Sequence, residues 1–78
     1  MIDGYDFLFR QRMEHVYQFD IYEVEDNGSW IIAGTALVNP TEKKCMVKTR
    51  INDENIIMRL KEALLTETKK VEEIFYTF

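Results

Sequence analysis

The sequence predicts a small α+β domain in which a three-stranded antiparallel β-meander packs on a long C-terminal helix, preceded by a short N-terminal helix. Three observations predict this fold. Asn27-Gly28 separates two runs that are rich in β-branched and aromatic residues, residues 15–25 and 29–38. A second loop candidate, Asn-Pro-Thr-Glu at residues 39–42, follows the second run. Strong helix formers then begin at Glu54. The expected element order is α-β-β-β-α, in one domain over residues 1–78.

The first element is predicted as a short helix within residues 3–13. Tyr5, Phe9 and Met13 recur at the helical spacing i, i+4 and i+8. Asp3 is a suitable N-cap, and the helix dipole favours acidic residues at this end. The same segment also alternates as a strand does, because Tyr5, Phe7 and Phe9 occupy every second position. The helix is the preferred interpretation, and the strand stays open.

The Asn-Gly pair sets the register of the first hairpin. Both residues of a two-residue type I′ loop need positive φ, and Asn-Gly supplies this at the least steric cost. With this pair as the loop, Glu25 faces Trp30 and Ile21 faces Gly34. The four-residue loop that follows pairs Val38 with a residue of the third strand, Lys43.

Together the two loops give the sheet one apolar face and one mixed face, because side chains alternate along each strand. The apolar face is expected to be the core side, and it carries Tyr17, Phe19, Ile21, Trp30, Ile32, Gly34, Ala36, Val38, Cys45, Val47 and Ile51. The opposite face mixes polar, aromatic, aliphatic and basic side chains. Its candidate interaction residues are Tyr22, Val24, Ile31, Leu37, Met46, Lys48 and Arg50.

The last element is predicted as one helix from Glu54 to about Tyr76, capped by Asn52 or Asp53. Apolar residues continue at near-helical spacing through the polar stretch at residues 66–70. The alternative breaks the helix near residue 66 and makes residues 71–78 a fourth strand. A helix of about 24 residues is roughly 36 Å long and exceeds the width of three strands. We therefore expect its apolar end to be covered by a second copy, through the candidate dimer residues Val71, Ile74, Phe75 and Phe78.

Composition narrows the class of protein. The net charge of −4 argues against a general nucleic-acid coat protein, which gains affinity by neutralising phosphates with Lys and Arg. Cys45 is the only cysteine, so no intramolecular disulfide forms. Residues 1–11 do not have the pattern of a secretory signal, and no apolar run approaches the roughly 18 residues of a membrane helix. A cytoplasmic location without a membrane partner is expected.

No motif predicts catalysis, a cofactor or a metal. His15 is the only histidine, which excludes zinc sites built on histidine pairs. The three glycines form no phosphate-binding loop. The carboxylates follow one another along the predicted strands and helix, whereas acid–base catalysis needs two that converge in a cleft. We expect a protein that is not an enzyme, with no catalytic, cofactor-binding or metal-binding residues.

The mixed face of the sheet leads to two functional hypotheses. The first is a protein-interaction or regulatory module, homodimeric and with an unidentified protein partner, that binds through this face, the C-terminal helix or both. The second is a nucleic-acid-binding domain, because Tyr22 beside Lys48 and Arg50 has the residue types of a base-stacking platform. The predicted element order is similar to that of double-stranded-RNA-binding domains. Those domains carry a lysine cluster where residues 52–54 are acidic here, so no family is identified and nucleic acid is the less favoured partner.

Overall fold

In the computed structural model, which describes residues 1–76, a four-stranded antiparallel sheet packs one of its faces on a single long helix. The strands lie side by side in chain order, and the helix α1 covers Glu54–Phe75. The α+β class and the long C-terminal helix are confirmed, while the sheet has one strand more than predicted. The strands are β1 (Tyr5–Met13), β2 (Val16–Val24), β3 (Trp30–Asn39) and β4 (Lys44–Thr49).

The prediction of an N-terminal helix is wrong, because this segment forms β1 at the edge of the sheet beside β2. Its aromatic residues Tyr5, Phe7 and Phe9 pack on the core. The rings of Phe7 and Phe9 contact the edge of Phe19 in β2, with centroids 5.7 and 5.5 Å apart. A helix would have gathered only Tyr5, Phe9 and Met13 on one stripe, whereas the strand also brings Phe7 to the core side.

The loop between β2 and β3 is one residue longer than predicted. The N–H of Glu25 donates to the carbonyl of Ser29, and the N–H of Gly28 donates to the carbonyl of Glu25. Residues 26–28 therefore form a three-residue loop, and its last residue, Gly28, has a φ of 86°. A turn followed by one left-handed residue is the usual form of such loops, and it needs positive φ at one position only.

A β-bulge in β3 returns the hairpin to the predicted register. At the tip, Val24 pairs with Trp30. Ala33 is the extra residue in β3, and beyond it Ile21 pairs with Gly34 as predicted. The extra residue compensates for the longer loop, so only the tip of the hairpin departs from the expected pairing.

The bulge exchanges the two faces at the tip of β3, because a shift of one residue turns every side chain to the other side. Trp30 and Ile32, predicted in the core, lie on the face opposite the helix. There the Trp30 ring contacts Tyr22, with centroids 5.4 Å apart. Ile31, predicted on that face, pairs with Glu23 and lies on the helix side of the sheet. The predicted faces of Trp30, Ile31 and Ile32 are therefore wrong.

The connection from β3 to β4 is shifted by two residues from the predicted one. Asn39 pairs with Lys44, and Val38 with Cys45. The Asn39 side chain holds the loop by accepting hydrogen bonds from the N–H groups of Thr41 and Glu42. Because the shift is an even number, each side chain of β4 still lies on its predicted face.

The helix α1 begins and ends close to the predicted residues. Asp53 is the N-cap, and its carboxylate accepts hydrogen bonds from the N–H groups of Asn55 and Ile56. The helix continues through the polar stretch because the buried Thr68 hydroxyl donates to the carbonyl of Leu64 within the helix. The single-helix prediction is confirmed, and the fourth-strand alternative is wrong for the described residues.

The core lies between α1 and one face of the sheet. β2 and β3 contribute its centre, with Tyr17, Phe19 and Ile21 essentially inaccessible to solvent. At one end Arg59 forms an ion pair with Asp3, in the turn before β1. The buried apolar residues are Tyr17, Phe19, Ile21, Ala33, Ala36, Val38, Ile51, Leu60, Leu64 and Val71.

Candidate interaction surface

The face of the sheet opposite α1, called the open face here, is not covered by any element of the described chain. Large apolar side chains are exposed on it from three of the four strands, β1, β3 and β4, although folding gains nothing from their exposure. A contiguous apolar patch of this kind is typical of an interaction surface, whereas single exposed apolar residues are ordinary. The exposed apolar residues of the open face are Leu8, Met13, Trp30, Ile32, Leu37 and Met46.

One end of the open face contains a groove of about 420 Å³. Its centre is a cross-strand row in which Gln18 pairs with Leu37, and Leu37 with Met46. Met46 is 71% exposed, so a large apolar side chain stands in water at the middle of the groove. We call this the open-face groove, and its lining includes Met13, Gln18, Thr35, Leu37, Met46 and Lys48.

The other end of the open face is aromatic. Tyr22 pairs with Ile32, and Val24 with Trp30, so these side chains form two adjacent rows. Ile32 is 57% exposed, and the indole of Trp30 rests against the Tyr22 ring. This end provides rigid apolar area, since aromatic side chains lose little conformational freedom on contact.

Asp20 lies between the two ends and is a buried carboxylate. Its Oδ2 accepts a hydrogen bond from Nη1 of Arg10 at 3.0 Å and another from the Tyr22 hydroxyl at 3.4 Å. A buried charge is tolerated only with such partners. The charge of Arg10 thus balances the charge of the Asp20 carboxylate. The same ion pair holds the Arg10 guanidinium.

The edge of the groove on β4 is basic, although the whole chain is acidic. Lys44 and Lys48 precede and follow Met46 at alternate positions, so all three side chains share the open face. Lys44 forms an exposed ion pair with Glu42, in which Nζ and Oε2 are 3.6 Å apart. Exposed pairs of this kind contribute little free energy. The lysines therefore remain accessible to an acidic partner.

The structure brings most of the predicted interaction residues together. Tyr22, Val24, Leu37, Met46 and Lys48 lie on the open face, as the sequence predicts. The two others are placed elsewhere: Ile31 by the bulge, and Arg50 beyond the end of β4.

Arg50 is directed to the helix side of the sheet by an ion pair. Its Nη2 lies 2.6 Å from Oε1 of Glu23, a residue whose neighbours Tyr22 and Val24 face the open side. This hydrogen bond with Glu23 raises the pKa of the Arg50 guanidinium. The predicted trio of Tyr22, Lys48 and Arg50 is therefore not assembled on one face.

Sequence reasoning missed four residues of the open face: Leu8, Met13, Trp30 and Ile32. The first two lie on β1, where alternation of Tyr5 with Phe7 was the available signal for a strand. The other two were hidden by the bulge at Ala33, for which the available signal was Gly34, because an isolated glycine within a strand often marks a bulge.

The second predicted surface, on α1, divides into buried and exposed parts. Val71 is only 7% exposed and belongs to the core of its own chain, so it cannot serve a partner. Ile74 and Phe75 are 72% and 62% exposed. The fourth candidate, Phe78, lies outside the described residues. We call the exposed group of Glu73, Ile74 and Phe75 the helix tip.

Residues of β1 and β2 hold the end of α1 against the sheet. The guanidinium of Arg12 lies 4.6 Å from the centroid of the Tyr76 ring and 5.8 Å from that of Tyr17. The two tyrosine rings meet edge to face at 5.8 Å. The end of α1 is therefore held over the end of β1 that also carries Met13, whose side chain lies on the open face.

Cys45 lies half-buried on the helix side, where burial raises the pKa of its thiol and the charge of Lys61 lowers it to a smaller extent. Among residues 1–76, no three His, Cys, Asp or Glu side chains are grouped so that they could hold a metal ion. The described part of the chain also contains no helix both long enough and apolar enough to cross a membrane.

No family model, no curated protein and no solved structure matches this chain. A functional proposal therefore rests on the fold and on the open face.

Proposed function

We propose that the protein is a non-enzymatic interaction module that self-associates through the open face of its sheet. One observation carries this proposal: three of the four strands expose large apolar side chains on a single face that no described element covers. Met46 at the groove end and Ile32 at the aromatic end are both more than half exposed. A second copy that covered this face would remove both from water, which is the main driving force of protein association.

The size of the open face supports a dimer. Strands lie about 4.8 Å apart and rise about 3.3 Å per residue, so four strands of about nine residues cover roughly 19 by 30 Å in projection. Side-chain relief makes the accessible area larger than this flat projection. A standard interface buries about 800 Å² on each partner. The open face is thus close to the area that a small dimer needs.

The edges of the sheet are less suitable for association than its face. β1 is interrupted by a register shift at Arg10, between Phe9 and Gln11. β4 has only six residues and carries Lys44 and Lys48. Bulges, short strands and lysines are devices that prevent strands of two molecules from pairing.

The same geometry weighs against the nucleic-acid alternative. A base-stacking platform needs free aromatic faces with cationic neighbours. Tyr22 already contacts Trp30, and its hydroxyl donates to Asp20. Arg50 is engaged by Glu23, and Lys48 lies two strands away from Tyr22.

The test compares two exposed methionines by analytical ultracentrifugation over a wide range of protein concentration. Met46 lies in the open-face groove, and Met58 is 59% exposed on α1. Full burial of a methionine contributes about 1.5–3 kcal/mol. We therefore expect Met46→Gln to raise the dimer dissociation constant about tenfold or more. Met58→Gln, the matched control, should leave it unchanged.

Two results would overturn the proposal. One is a wild-type protein that stays monomeric at the highest concentration, and the other is an equal loss of association in both variants. A titration with single- and double-stranded oligonucleotides at low salt completes the test. Salt-sensitive binding that Lys48→Ala abolishes would favour the nucleic-acid alternative instead.

A further inference from the structure

We infer that the helix tip of one copy occupies the open-face groove of a second copy. This inference rests on the proposed self-association and names the residues that meet. The tip is Glu73, Ile74 and Phe75, and the groove is centred on Leu37 and Met46. Both surfaces are apolar at their centres and exposed in the single chain.

The groove is large enough for the two apolar side chains of the tip. Pockets that hold drug-sized ligands measure roughly 300 to 1,000 Å³, and the groove is about 420 Å³. Met13 of β1 and Met46 of β4 both line it. Methionine side chains adapt their shape to what they contact, so this lining suits the unequal shapes of Ile74 and Phe75.

The charges of the two surfaces are complementary. The C-terminal end of a helix carries a partial negative charge, which basic residues in its last turn usually offset. The last turn of α1 has no basic residue, and the exposed Glu73 adds a further negative charge there. Lys44 and Lys48 at the groove provide the positive charge that the helix end lacks in its own last turn.

The positions of the two surfaces favour a head-to-tail contact. Arg12 touches Tyr76 at the end of α1, and the next residue, Met13, lines the groove on the other face. The tip and the groove therefore lie at the same end of the molecule, on opposite sides of the sheet. A two-fold axis that exchanged them would pass through the sheet between them, so the contact is heterologous, and the tip of one copy enters the groove of the next.

The test uses two charge reversals in the full-length protein, Lys48→Glu in the groove and Glu73→Lys in the tip. Each variant alone pairs like charges wherever a tip meets a groove, so we expect its self-association to weaken several-fold. In an equimolar mixture, every contact between the two different variants pairs opposite charges. Ultracentrifugation should therefore show the mixture associating about as tightly as the wild type. Glu62→Lys, at an exposed position within α1, is the control reversal and should not respond to mixing with Lys48→Glu.

The apolar part of the contact is tested separately by Phe75→Gln, which should weaken association about as much as Met46→Gln. Thermal unfolding of each variant shows that the fold is retained. If Met46→Gln weakens the dimer while Phe75→Gln and Glu73→Lys do not, the open face is an interface but the tip is not its occupant. That result overturns this inference alone. A protein that never associates overturns both proposals.

Discussion

The hydroxyl of Tyr17 in β2 donates a hydrogen bond to Oε2 of Glu72 in α1, 3.2 Å away, and joins residues 55 positions apart in the chain. Tyr17 is fully buried in the core, so its ring and its hydroxyl serve different purposes. The ring packs beneath the helix, and the hydroxyl holds the helix end. This contact ties α1 to the sheet at the residue directly before the exposed tip, which begins at Glu73.

Tyr17→Phe should lower the free energy of unfolding by about 1 kcal/mol, because the ring stays and one hydrogen bond is lost. Urea denaturation of the two proteins measures the difference. Tyr76→Phe is the control, since it keeps the ring that contacts Tyr17 edge to face and changes only a hydroxyl at the helix end. An equal loss in both variants would contradict the role given to Tyr17.

The same tyrosine predicts a dependence of stability on alkaline pH. Burial, and then the charge of Glu72, raise the pKa of Tyr17 above its ordinary value of 10.0. Its neutral form is therefore favoured in the folded protein. The resulting stability is complete below pH 10 and is lost as the pH rises through the folded pKa. Above pH 10 the free energy of unfolding should fall more steeply in the wild type than in Tyr17→Phe, and parallel curves would contradict this.

Gly34→Ala should destabilise the protein by about 1–3 kcal/mol through overpacking. A Cβ at Gly34 would lie 2.5 Å from the carbonyl oxygen of Lys48 and 2.8 Å from the Cβ of Thr49 in β4. The backbone cannot yield at that distance without opening the β3–β4 pairing. Thr35→Ala, at the next position on the open face, is the control. Thermal unfolding should show a much larger decrease in melting temperature for Gly34→Ala.

Trp30 is the only tryptophan, and its fluorescence reports on the open face. The ring is partly exposed beside Tyr22, so acrylamide should quench its emission readily in dilute protein. If copies associate through this face, quenching should decrease as the protein concentration rises. Met46→Gln should keep quenching high at concentrations where the wild type is protected. Protection at the lowest concentration would mean that Trp30 is buried in the single chain.

Cys45 should react slowly with iodoacetamide in the native protein at neutral pH. Burial raises the pKa of its thiol, and the thiolate is the reactive form. The reaction should accelerate as the pH rises, and urea-unfolded protein should react faster at every pH. Rapid labelling of the native protein at neutral pH would contradict the half-buried position of Cys45 on the helix side.

The sequence correctly predicts the parts of the fold in which side chains alternate regularly along a strand, because the position of each residue then determines its face. Phe19, Ile21 and Ala36 are buried as expected because β2 and the end of β3 alternate without interruption. Even the two-residue error at the β3–β4 loop leaves Met46 and Lys48 on the expected face, since an even shift preserves parity. The long helix is predicted because its cap and apolar stripe are independent signals that agree.

The failures lie where the signal is ambiguous or absent. In β1 the positions of Tyr5 and Phe9 fit both a helix and a strand, and only the packing against Phe19 decides between them. The turn that makes β1 a hairpin with β2 falls at Glu14 and His15, where Glu14 takes a φ of 57°. No glycine or asparagine marks that turn.

The candidate site is predicted to the same extent as the fold. Tyr22, Leu37 and Met46 are found because their strands keep the expected parity. The predicted face of Arg50 is wrong because β4 ends at Thr49, and strand alternation does not determine the direction of a side chain beyond that residue. The ion pair with Glu23 directs the Arg50 side chain instead.

The bulge at Ala33 makes the chemistry of one surface depend on pairing register rather than on side-chain identity. If β3 paired with β2 without the bulge, Ala33 would lie opposite Tyr22, and Trp30 and Ile32 would turn over to the helix side. No side chain of the open face would have been replaced, yet its aromatic end would be gone. Deleting Ala33, by contrast, would leave Ile32 opposite Tyr22 and Trp30 opposite Val24, so this end of the surface should tolerate the loss of the residue that creates the bulge.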